Sequence, residues 1–236
     1  MNSTVYNPIP FDHTYLLYDP NDIISLVCVH FSLLPIYIMV YYTSWFLITR
    51  EIEPVIIVGG HLANEVINKV VKMLVKSPRP AFHAGFGTNS KYGLSYGFPS
   101  AHSQFMGFFV GYYTCIILFK IPKMPARHKR IVCVMAVLSM LGVAFSRVYL
   151  LYHSCVQVIA GLIVGVTFGV AYFEVTSMIR DLGVVEWVLN WPIVRFFYVK
   201  DTYFYNYQTF AQEYQSYKKL RLDKKEELKK VAQEPS

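Results

Sequence analysis

The sequence predicts an all-α protein, a polytopic membrane helix bundle with about five transmembrane helices and an interfacial segment. The first observation is composition: of the 236 residues, 54% are hydrophobic and 16% are charged. Soluble proteins have about 45–50% apolar and about 25% charged residues. The second observation is that the apolar residues form several long runs, and a helix needs about 20 such residues to cross a bilayer. A soluble helical protein, the alternative, rarely needs several runs of this length.

Each predicted element follows from one of these runs, in order along the chain. We expect transmembrane helices at about residues 23–48, 54–75, 103–121, 130–150 and 155–179. The region 184–199 combines charged residues with five aromatic residues, which suits the headgroup interface better than a span. The predicted organisation is an N-terminal segment (1–22), a transmembrane catalytic domain (23–180), an interfacial segment (181–210) and a basic tail (211–236).

The placement of the charges predicts the orientation in the membrane. The net charge is +7, and many of the cations lie in two stretches, 120–130 and 218–230, that flank or follow predicted spans. The positive-inside rule places such stretches in the cytosol and explains the charge without a nucleic-acid partner. Alternation of the spans then places the N-terminal segment, the loop 76–102 and the turn 147–154 on the exoplasmic face, and the tail in the cytosol.

The four cysteines give no sign of a metal site or a disulfide framework. They lie in or at the edge of apolar segments, at spacings that fit neither arrangement. We expect them to be buried thiols that act as small hydrophobic side chains. They are Cys28, Cys115, Cys133 and Cys155.

Three short blocks carry the chemistry, and all three fall on the predicted exoplasmic face. They are Lys72-x6-Arg79-Pro80, Pro99-Ser100-Ala101-His102 and Ser146-Arg147-x5-His153. Together they supply three cations, a hydroxyl group and two histidines. This inventory is sufficient to bind a phosphoryl group and to transfer it through a histidine without a metal ion or cofactor. Because the surroundings are apolar, we expect the phosphate to belong to a lipid.

A stripe on the fifth span predicts which way His153 points. Its members recur every four residues and therefore share one helix face: His153, Gln157, Gly161, Gly165 and Gly169. Glycines at this spacing let a neighbouring helix approach closely. The stripe predicts that His153 and Gln157 point into the bundle. A packing histidine is the alternative, which Arg147 and the second histidine disfavour.

The other site residues are weaker signals when each is considered alone. Pro99 and Ser100 predict a helix start near 100–103, where free N–H groups bind anions and Ser100 is placed to cap and to contact phosphate. Lys72 and Arg79 flank the second span, where a lysine that reaches the interface and a loop charge are the ordinary interpretations. Arg147 follows an apolar run directly, and a buried arginine in a membrane marks a partner or a substrate such as phosphate.

The second span carries a polar face in addition to its apolar residues. The face consists of Glu65, Asn68, Lys69, Lys72 and Lys76, at spacings of three and four. Glu65 is placed to pair with Lys69 within the helix. We therefore expect Glu65 to have a structural or cation-orienting role rather than a direct role in catalysis.

In order and spacing, the three blocks resemble the signature of the type 2 phosphatidic acid phosphatase superfamily, over the region from Lys72 to His153. The resemblance implies that superfamily's helix bundle, with His153 as the nucleophile that forms a phosphohistidine and His102 as the general acid. It also implies a set of groups that hold the phosphoryl oxygens: Lys72, Arg79, Ser100, the N–H of Ala101, and Arg147. One position departs from the pattern, because Gln157 stands where the superfamily usually has an aspartate. Glutamine can orient the ring of His153 but adds no charge.

Further segments resemble one branch of that superfamily, the dolichyl diphosphate phosphatases of the endoplasmic reticulum. They are residues 10–19 (PFDHTYLLYD), 99–107 (PSAHSQFMG) and 152–157 (YHSCVQ). The chain length and basic tail resemble those of fungal members. The resemblance implies hydrolysis of dolichyl diphosphate to dolichyl phosphate and phosphate on the lumenal face, which recycles the lipid carrier of N-glycosylation.

Two other functions remain open at this point. One is a broader lipid phosphatase that acts on phosphatidate, sphingoid phosphates or other isoprenoid diphosphates, because the same residues would serve. The other is a catalytically silent membrane protein that binds or moves lipid phosphates, an alternative that only Gln157 favours. The sequence does not predict an oligomeric state.

Overall fold

The architecture is that of a computed structural model, which describes residue 16 and residues 22–80, 96–121, 124–203 and 210–231. Five long helices are followed by three further helices: α1 (Ile23–Thr49), α2 (Glu53–Val75), α3 (Ala101–Cys115), α4 (Ala126–Tyr149), α5 (Cys155–Asp181), α6 (Val184–Leu189), α7 (Pro192–Phe196) and α8 (Phe210–Val231). A π-helical turn (Ile116–Lys120) continues α3. Most of the predicted N-terminal segment and residues 81–95 of the predicted loop lie outside the described residues.

The predicted all-α membrane bundle is confirmed, with one long helix at each of the five predicted spans. Helices α1, α4 and α5 are long and apolar enough to cross a membrane by length and composition. Helix α2 carries four charged residues, and α3 has 15 residues before its π-helical turn. The region 184–199 forms two short helices with exposed aromatic side chains. Its position at the membrane interface stays a prediction.

The burial expected for the cysteines holds for two of the four. Cys28 and Cys115 are buried, whereas Cys133 is half-buried and Cys155 is exposed. The prediction is therefore wrong for Cys155, and only partly right for Cys133. The reason is position: Cys133 lies on α4, most of whose surface is not covered by the bundle, and Cys155 opens the first turn of α5.

Helices α3 and α5 make the most extensive contact in the bundle, and glycines allow it. A Cβ atom added to Gly161, Gly165 or Gly169 of α5 would lie 2.2 to 2.6 Å from a backbone carbonyl oxygen of α3 or of its N-cap residue, Ser100. Gly107 and Gly111 of α3 present the same close approach, with a Cβ atom 2.7 Å from carbonyl oxygens of α5. The predicted glycine stripe on α5 is therefore confirmed as a backbone-to-backbone contact.

A buried ionic cluster closes the end of the bundle where α2 begins and α5 ends. Arg180 forms ion pairs with Glu53 and, at 3.0 Å, with Asp201. Tyr112 of α3 donates to Glu53 at 2.8 Å, and the ring of Tyr203 lies 3.9 Å from the Arg180 guanidinium. The chain after α7 is thereby held against helices α2, α3 and α5.

Backbone hydrogen bonds attach the same segment to the turn between α1 and α2. Ile52 N–H donates to the Lys200 carbonyl at 2.9 Å, and Lys200 N–H donates to the Arg50 carbonyl at 2.9 Å. Thr202 N–H donates to the side chain of Glu51 at 3.2 Å. The segment 200–203 is therefore part of the folded bundle.

Replacing Arg180 with Met should destabilise the fold, because it leaves the Glu53 and Asp201 carboxylates buried without a counter-ion. Removal of one partner from a buried ion pair costs about 3–5 kcal/mol. We expect a clear loss of Tm in detergent, measured by calorimetry or dye-free fluorescence. The control is Lys224→Ala, which breaks an exposed pair with Glu227 on α8. Equal Tm values for the two variants would contradict this role for Arg180.

Two glycine-to-alanine substitutions should have opposite effects on stability. In Gly165→Ala the new Cβ would lie 2.2 Å from the Gln104 carbonyl oxygen, so we expect a loss of about 3 kcal/mol, at the upper end of overpacking costs. In Gly59→Ala the nearest atom is the Tyr172 hydroxyl, at 3.5 Å, and the helix propensity of alanine should add about 0.5–1 kcal/mol. Thermal unfolding in detergent measures both, and a stable Gly165→Ala variant would contradict the tight packing.

Candidate active site

The predicted site residues lie at the end of the bundle opposite the Arg180 cluster. Lys72 and Arg147 belong to the last turns of α2 and α4. His102 is the second residue of α3, and His153 lies in the turn that leads into α5. Arg79 follows α2, and its Nη1 lies 3.4 Å from the Tyr152 carbonyl oxygen and 3.5 Å from His153 Nε2. The helix directions therefore bring the three sequence blocks to one end of the protein.

His153 is buried, and two oxygen atoms contact its Nδ1. The Gly97 carbonyl oxygen lies at 2.9 Å, and Gln157 Oε1 lies at 3.2 Å. The orientation of the Gln157 amide is fixed, because its Nε2 donates to the Pro78 carbonyl at 2.8 Å. Both neighbours of Nδ1 are therefore acceptors, so Nδ1 carries the proton. The lone pair of Nε2 remains, on the side of the ring that faces Arg79.

The surroundings of His153 keep its ring neutral. Burial lowers the pKa of His153 well below its usual value of 6.5, and the positive charges of Arg79 and Arg147 lower it further. The hydrogen bond to Gln157 opposes this effect only in part. A neutral imidazole whose Nδ1 is protonated offers Nε2 as a nucleophile at physiological pH.

Gln157 has a second structural role at the start of α5. Ser154 caps this helix by accepting from Gln157 N–H at 3.4 Å, and Gln157 Oε1 accepts from Ser154 N–H at 3.3 Å, which forms a capping box. Gly97 makes room for the amide, because a Cβ atom there would lie 2.6 Å from Gln157 Nε2. The predicted orientation of the His153 ring by Gln157 therefore has a geometric basis.

Arg147 is a buried cation, and among the described residues it forms no ion pair with a carboxylate. Its Nη1 donates to Ser32 Oγ of α1 at 3.2 Å, and its guanidinium lies 4.1 Å from the centre of the Tyr152 ring. Its Nε has no hydrogen-bond partner within the described part of the chain. A buried guanidinium with a donor to spare suits an anionic group such as phosphate. Ser32, which positions it, is not in the predicted set.

Lys72 is buried, with 7% of its surface exposed. This burial disfavours the alternative of a lysine that reaches out to the membrane interface. Glu65 pairs with Lys69 at 3.9 Å, as predicted, and the side chains are 42% and 68% exposed. Glu65 therefore orients a cation outside the proposed phosphate-binding set, and a role for it in the site stays a prediction.

Ser100 occupies the N-cap position of α3, so the predicted helix start is correct. Its side chain makes no capping bond to the helix backbone, and the predicted side-chain cap is wrong. The reason is that Ser100 Oγ instead accepts from the Ser103 hydroxyl, one turn along, at 3.0 Å. The N–H of Ser100 donates to the Gln157 carbonyl at 3.0 Å, which ties the start of α3 to the start of α5. Ala101 then begins the helix, and His102 is half-buried beside it.

Two buried amides near the site were missed in the sequence, Asn64 of α2 and Gln104 of α3, and a third, Asn68, was placed on the polar face of the second span without a role. Asn64, Asn68 and Lys72 recur every four residues on α2, which is a signal that the sequence contains. Polar residues in a buried stripe of an apolar helix indicate partners on a neighbouring helix. Gln104 has no such pattern, because its partners lie about 40 residues away in the chain.

The fold and the arrangement of these residues define a class of membrane protein. The chain belongs to the PAP2 superfamily, whose family model matches residues 53–181 and so includes all three sequence blocks. The fold is shared by the crystal structure of a transmembrane PAP2 type phosphatidylglycerolphosphate phosphatase from Bacillus subtilis. Its TM-score is 0.52 and its identity 22%, over 68% of this chain and 79% of that one.

More similar relatives place the chain within that superfamily. It is 42% identical over 223 residues to a protein of Saccharomyces cerevisiae named "Dolichyldiphosphatase", covering 92% of this chain and 93% of that protein. It is 30% identical over 201 residues to "Dolichyldiphosphatase 1" of Homo sapiens, covering 82% of each. The family resemblance predicted from the sequence is therefore confirmed.

The protonation state of His153 can be measured by nitrogen-15 NMR of histidine-labelled protein in detergent. We expect the neutral ring with its proton on Nδ1 at pH 7, and protonation only well below pH 6.5. In Arg79→Gln, loss of a nearby positive charge should raise the pKa of His153, so its signal should titrate at higher pH than in the unmodified protein. His153→Gln assigns the signal, and the exposed His128 is an internal reference. A protonated His153 at pH 7 would contradict the assigned tautomer.

Proposed function

We propose that this protein is a phosphatase that hydrolyses dolichyl diphosphate to dolichyl phosphate and inorganic phosphate. The substrate class is supported by the similarity to the yeast and human dolichyldiphosphatases. The observation that carries the chemistry is His153, a neutral ring held at Nδ1 by Gly97 and Gln157, with Nε2 facing Arg79. The proposed setting is the endoplasmic reticulum membrane, with the site on the lumenal face and the tail in the cytosol.

The proposed mechanism uses two histidines in two steps. His153 Nε2 attacks the terminal phosphorus in line, a P–N bond forms, and the bond from phosphorus to the bridging oxygen breaks. His102 donates a proton to that oxygen, and dolichyl phosphate leaves. Water then attacks the phosphohistidine while His102 takes up a proton. The P–N bond breaks, inorganic phosphate leaves, and His153 is neutral again.

Fixed positive charge supplies the stabilisation of the transition state. Lys72, Arg79 and Arg147 are proposed to hold the phosphoryl oxygens, together with Ser100 and the N–H of Ala101. Phosphoryl transfer depends mainly on positioning and on charge placed where negative charge accumulates. Burial of Lys72 and Arg147 strengthens their interaction with phosphate, because little water competes there. We infer that these side chains fulfil the role that a divalent cation has in other phosphoryl-transfer enzymes.

The test is phosphate release from dolichyl diphosphate by purified protein in EDTA. We expect the unmodified protein to release phosphate and His153→Ala to lose at least about a thousandfold in kcat, because no nucleophile replaces the ring. Acid quench of a reaction with phosphorus-32 substrate should trap labelled protein, and His153→Ala should not be labelled. Cys155→Ser, an exposed residue two positions along, is the matched control and should keep its activity.

Each contrary outcome removes a different part of the proposal. Loss of activity in EDTA would contradict metal independence. Activity in His153→Ala would contradict the assignment of His153 as the nucleophile. No release from dolichyl diphosphate, with release from phosphatidate or a sphingoid phosphate in the same detergent, would contradict the substrate and leave the site assignment intact.

A further inference from the structure

Three buried amides, Asn64, Asn68 and Gln104, form one hydrogen-bonded chain between α2 and α3. Gln104 Nε2 donates to the Asn64 backbone carbonyl at 2.9 Å and to Asn64 Oδ1 at 2.8 Å. Asn64 Nδ2 returns a bond to the Gln104 carbonyl at 3.2 Å. Asn68 Nδ2 donates to Gln104 Oε1 at 2.8 Å and to the Pro99 carbonyl at 3.3 Å.

Backbone carbonyls at both ends fix the direction of every bond in this chain. The Pro99 carbonyl can only accept, so the atom of Asn68 that faces it is the nitrogen. The oxygen of Gln104 must then face Asn68, and its nitrogen must face Asn64, where a second backbone carbonyl accepts. No amide can rotate by half a turn without placing two acceptors together. The network therefore specifies one register of α2 against α3.

The register matters because each helix carries part of the proposed site. Asn68 lies one turn before Lys72 on the buried face of α2. Pro99, which Asn68 contacts, opens the turn that contains Ser100 and His102. The amides therefore set the position of a phosphate-binding cation relative to the proposed general acid.

The same turn is held from its other side by α5. The Ser100 N–H donates to the Gln157 carbonyl at 3.0 Å. Gly161 is so close to the Ser100 carbonyl oxygen that a Cβ atom would lie 2.6 Å from it. The start of α3 thus lies between the amides of α2 and the backbone of α5, and Asn68 connects it by a hydrogen bond to the helix that carries Lys72.

The Asn68 amide forms hydrogen bonds through its nitrogen. Its nitrogen donates two bonds, but its oxygen has no partner among the described residues. Leaving a buried acceptor unpaired is unfavourable. An apolar side chain of similar size would avoid that cost but would leave the Pro99 carbonyl and Gln104 Oε1 without this donor, so the two donated bonds are what the Asn68 side chain contributes.

We propose that Asn64, Asn68 and Gln104 are positioning residues for phosphoryl transfer, which hold the turn Pro99–His102 in register with Lys72. The proposal rests on the proposed function of the site. It assigns the residues no contact with the reacting atoms. They act through the Pro99 carbonyl and through the position of α3.

The test compares kinetics of purified Asn68→Leu, Gln104→Leu and the double variant with those of the unmodified protein. All assays are run well below the Tm of each protein. We expect each single variant to lower kcat by about tenfold or more, because a displacement of about 1 Å is enough to cost up to a hundredfold. KM should change less than twofold, because misplacement of the groups that hold the reacting phosphoryl group weakens transition-state stabilisation more than substrate binding. The double variant should lose no more than the worse single variant, because either substitution opens the same network.

Two controls separate positioning from general damage to the fold. Met106→Leu changes a fully buried side chain two residues after Gln104 with little change of volume, and should keep its kcat. Asn68→Asp keeps size but cannot donate to Pro99, and should lose as much kcat as Asn68→Leu. Variants that stay folded with kcat within twofold of the unmodified protein would overturn the proposal, as would a Tm loss that fully accounts for the loss of activity.

A failure of the proposed function gives a different result. If the unmodified protein hydrolyses neither dolichyl diphosphate nor other lipid phosphates, the result contradicts the proposed enzyme function. It does not test the positioning role of the amides. Binding of orthovanadate, which can adopt the five-coordinate geometry of the phosphoryl-transfer transition state, then tests positioning independently by titration calorimetry. At least a fivefold weaker affinity in Asn68→Leu and Gln104→Leu, with Met106→Leu unchanged, would support the role of the amides. Equal affinity in all four proteins would overturn it.

Discussion

The backbone contact between α3 and α5 is the constraint on which the site depends. Three glycines of α5 lie against carbonyl oxygens of α3 at distances that leave no space for a side chain. Helices this close have a fixed relative rotation and translation, because their backbones interlock. The bond from Ser100 to the Gln157 carbonyl follows from that register. The turn with His102 and the turn with His153 are therefore placed by the scaffold, before any substrate is bound.

The two ends of the bundle differ in whether a buried arginine is paired with carboxylates. At one end Arg180 is matched by two carboxylates, Glu53 and Asp201. At the other end Arg147 forms no ion pair with a carboxylate among the described residues, donates to the Ser32 hydroxyl and lies against the Tyr152 ring, and Lys72 is buried as well. Gln157, whose Oε1 lies 3.2 Å from His153 Nδ1, adds no negative charge to this second environment. The positive charge at this end supports the proposal that it binds an anionic group.

Local patterns predicted the helices and the direction of His153, because both depend on residues within one or two turns. The spans followed from apolar runs, and the stripe from His153 to Gly169 followed from a period of four. The sequence could not predict the amide chain or the support of Arg147, because Gln104 and Ser32 find partners 40 and 115 residues away. The side-chain cap predicted for Ser100 was wrong for a related reason. The Ser103 hydroxyl donates to the Ser100 oxygen, and the preference of serine for N-cap positions does not take such a competing donor into account.

The hydroxyl of Ser32 also bears on what counts as the smallest working part of this protein. The family match begins at residue 53, after α1 has ended, and it includes every block by which the superfamily is recognised. Yet the buried guanidinium of Arg147 is held from α1, through Ser32 and its bond with Ser146 at 2.9 Å. A truncated protein that contained only the matched region would keep all three sequence blocks but would lose Ser32, which supports Arg147. The region that identifies the superfamily is thus shorter than the part of the chain that supports the candidate site.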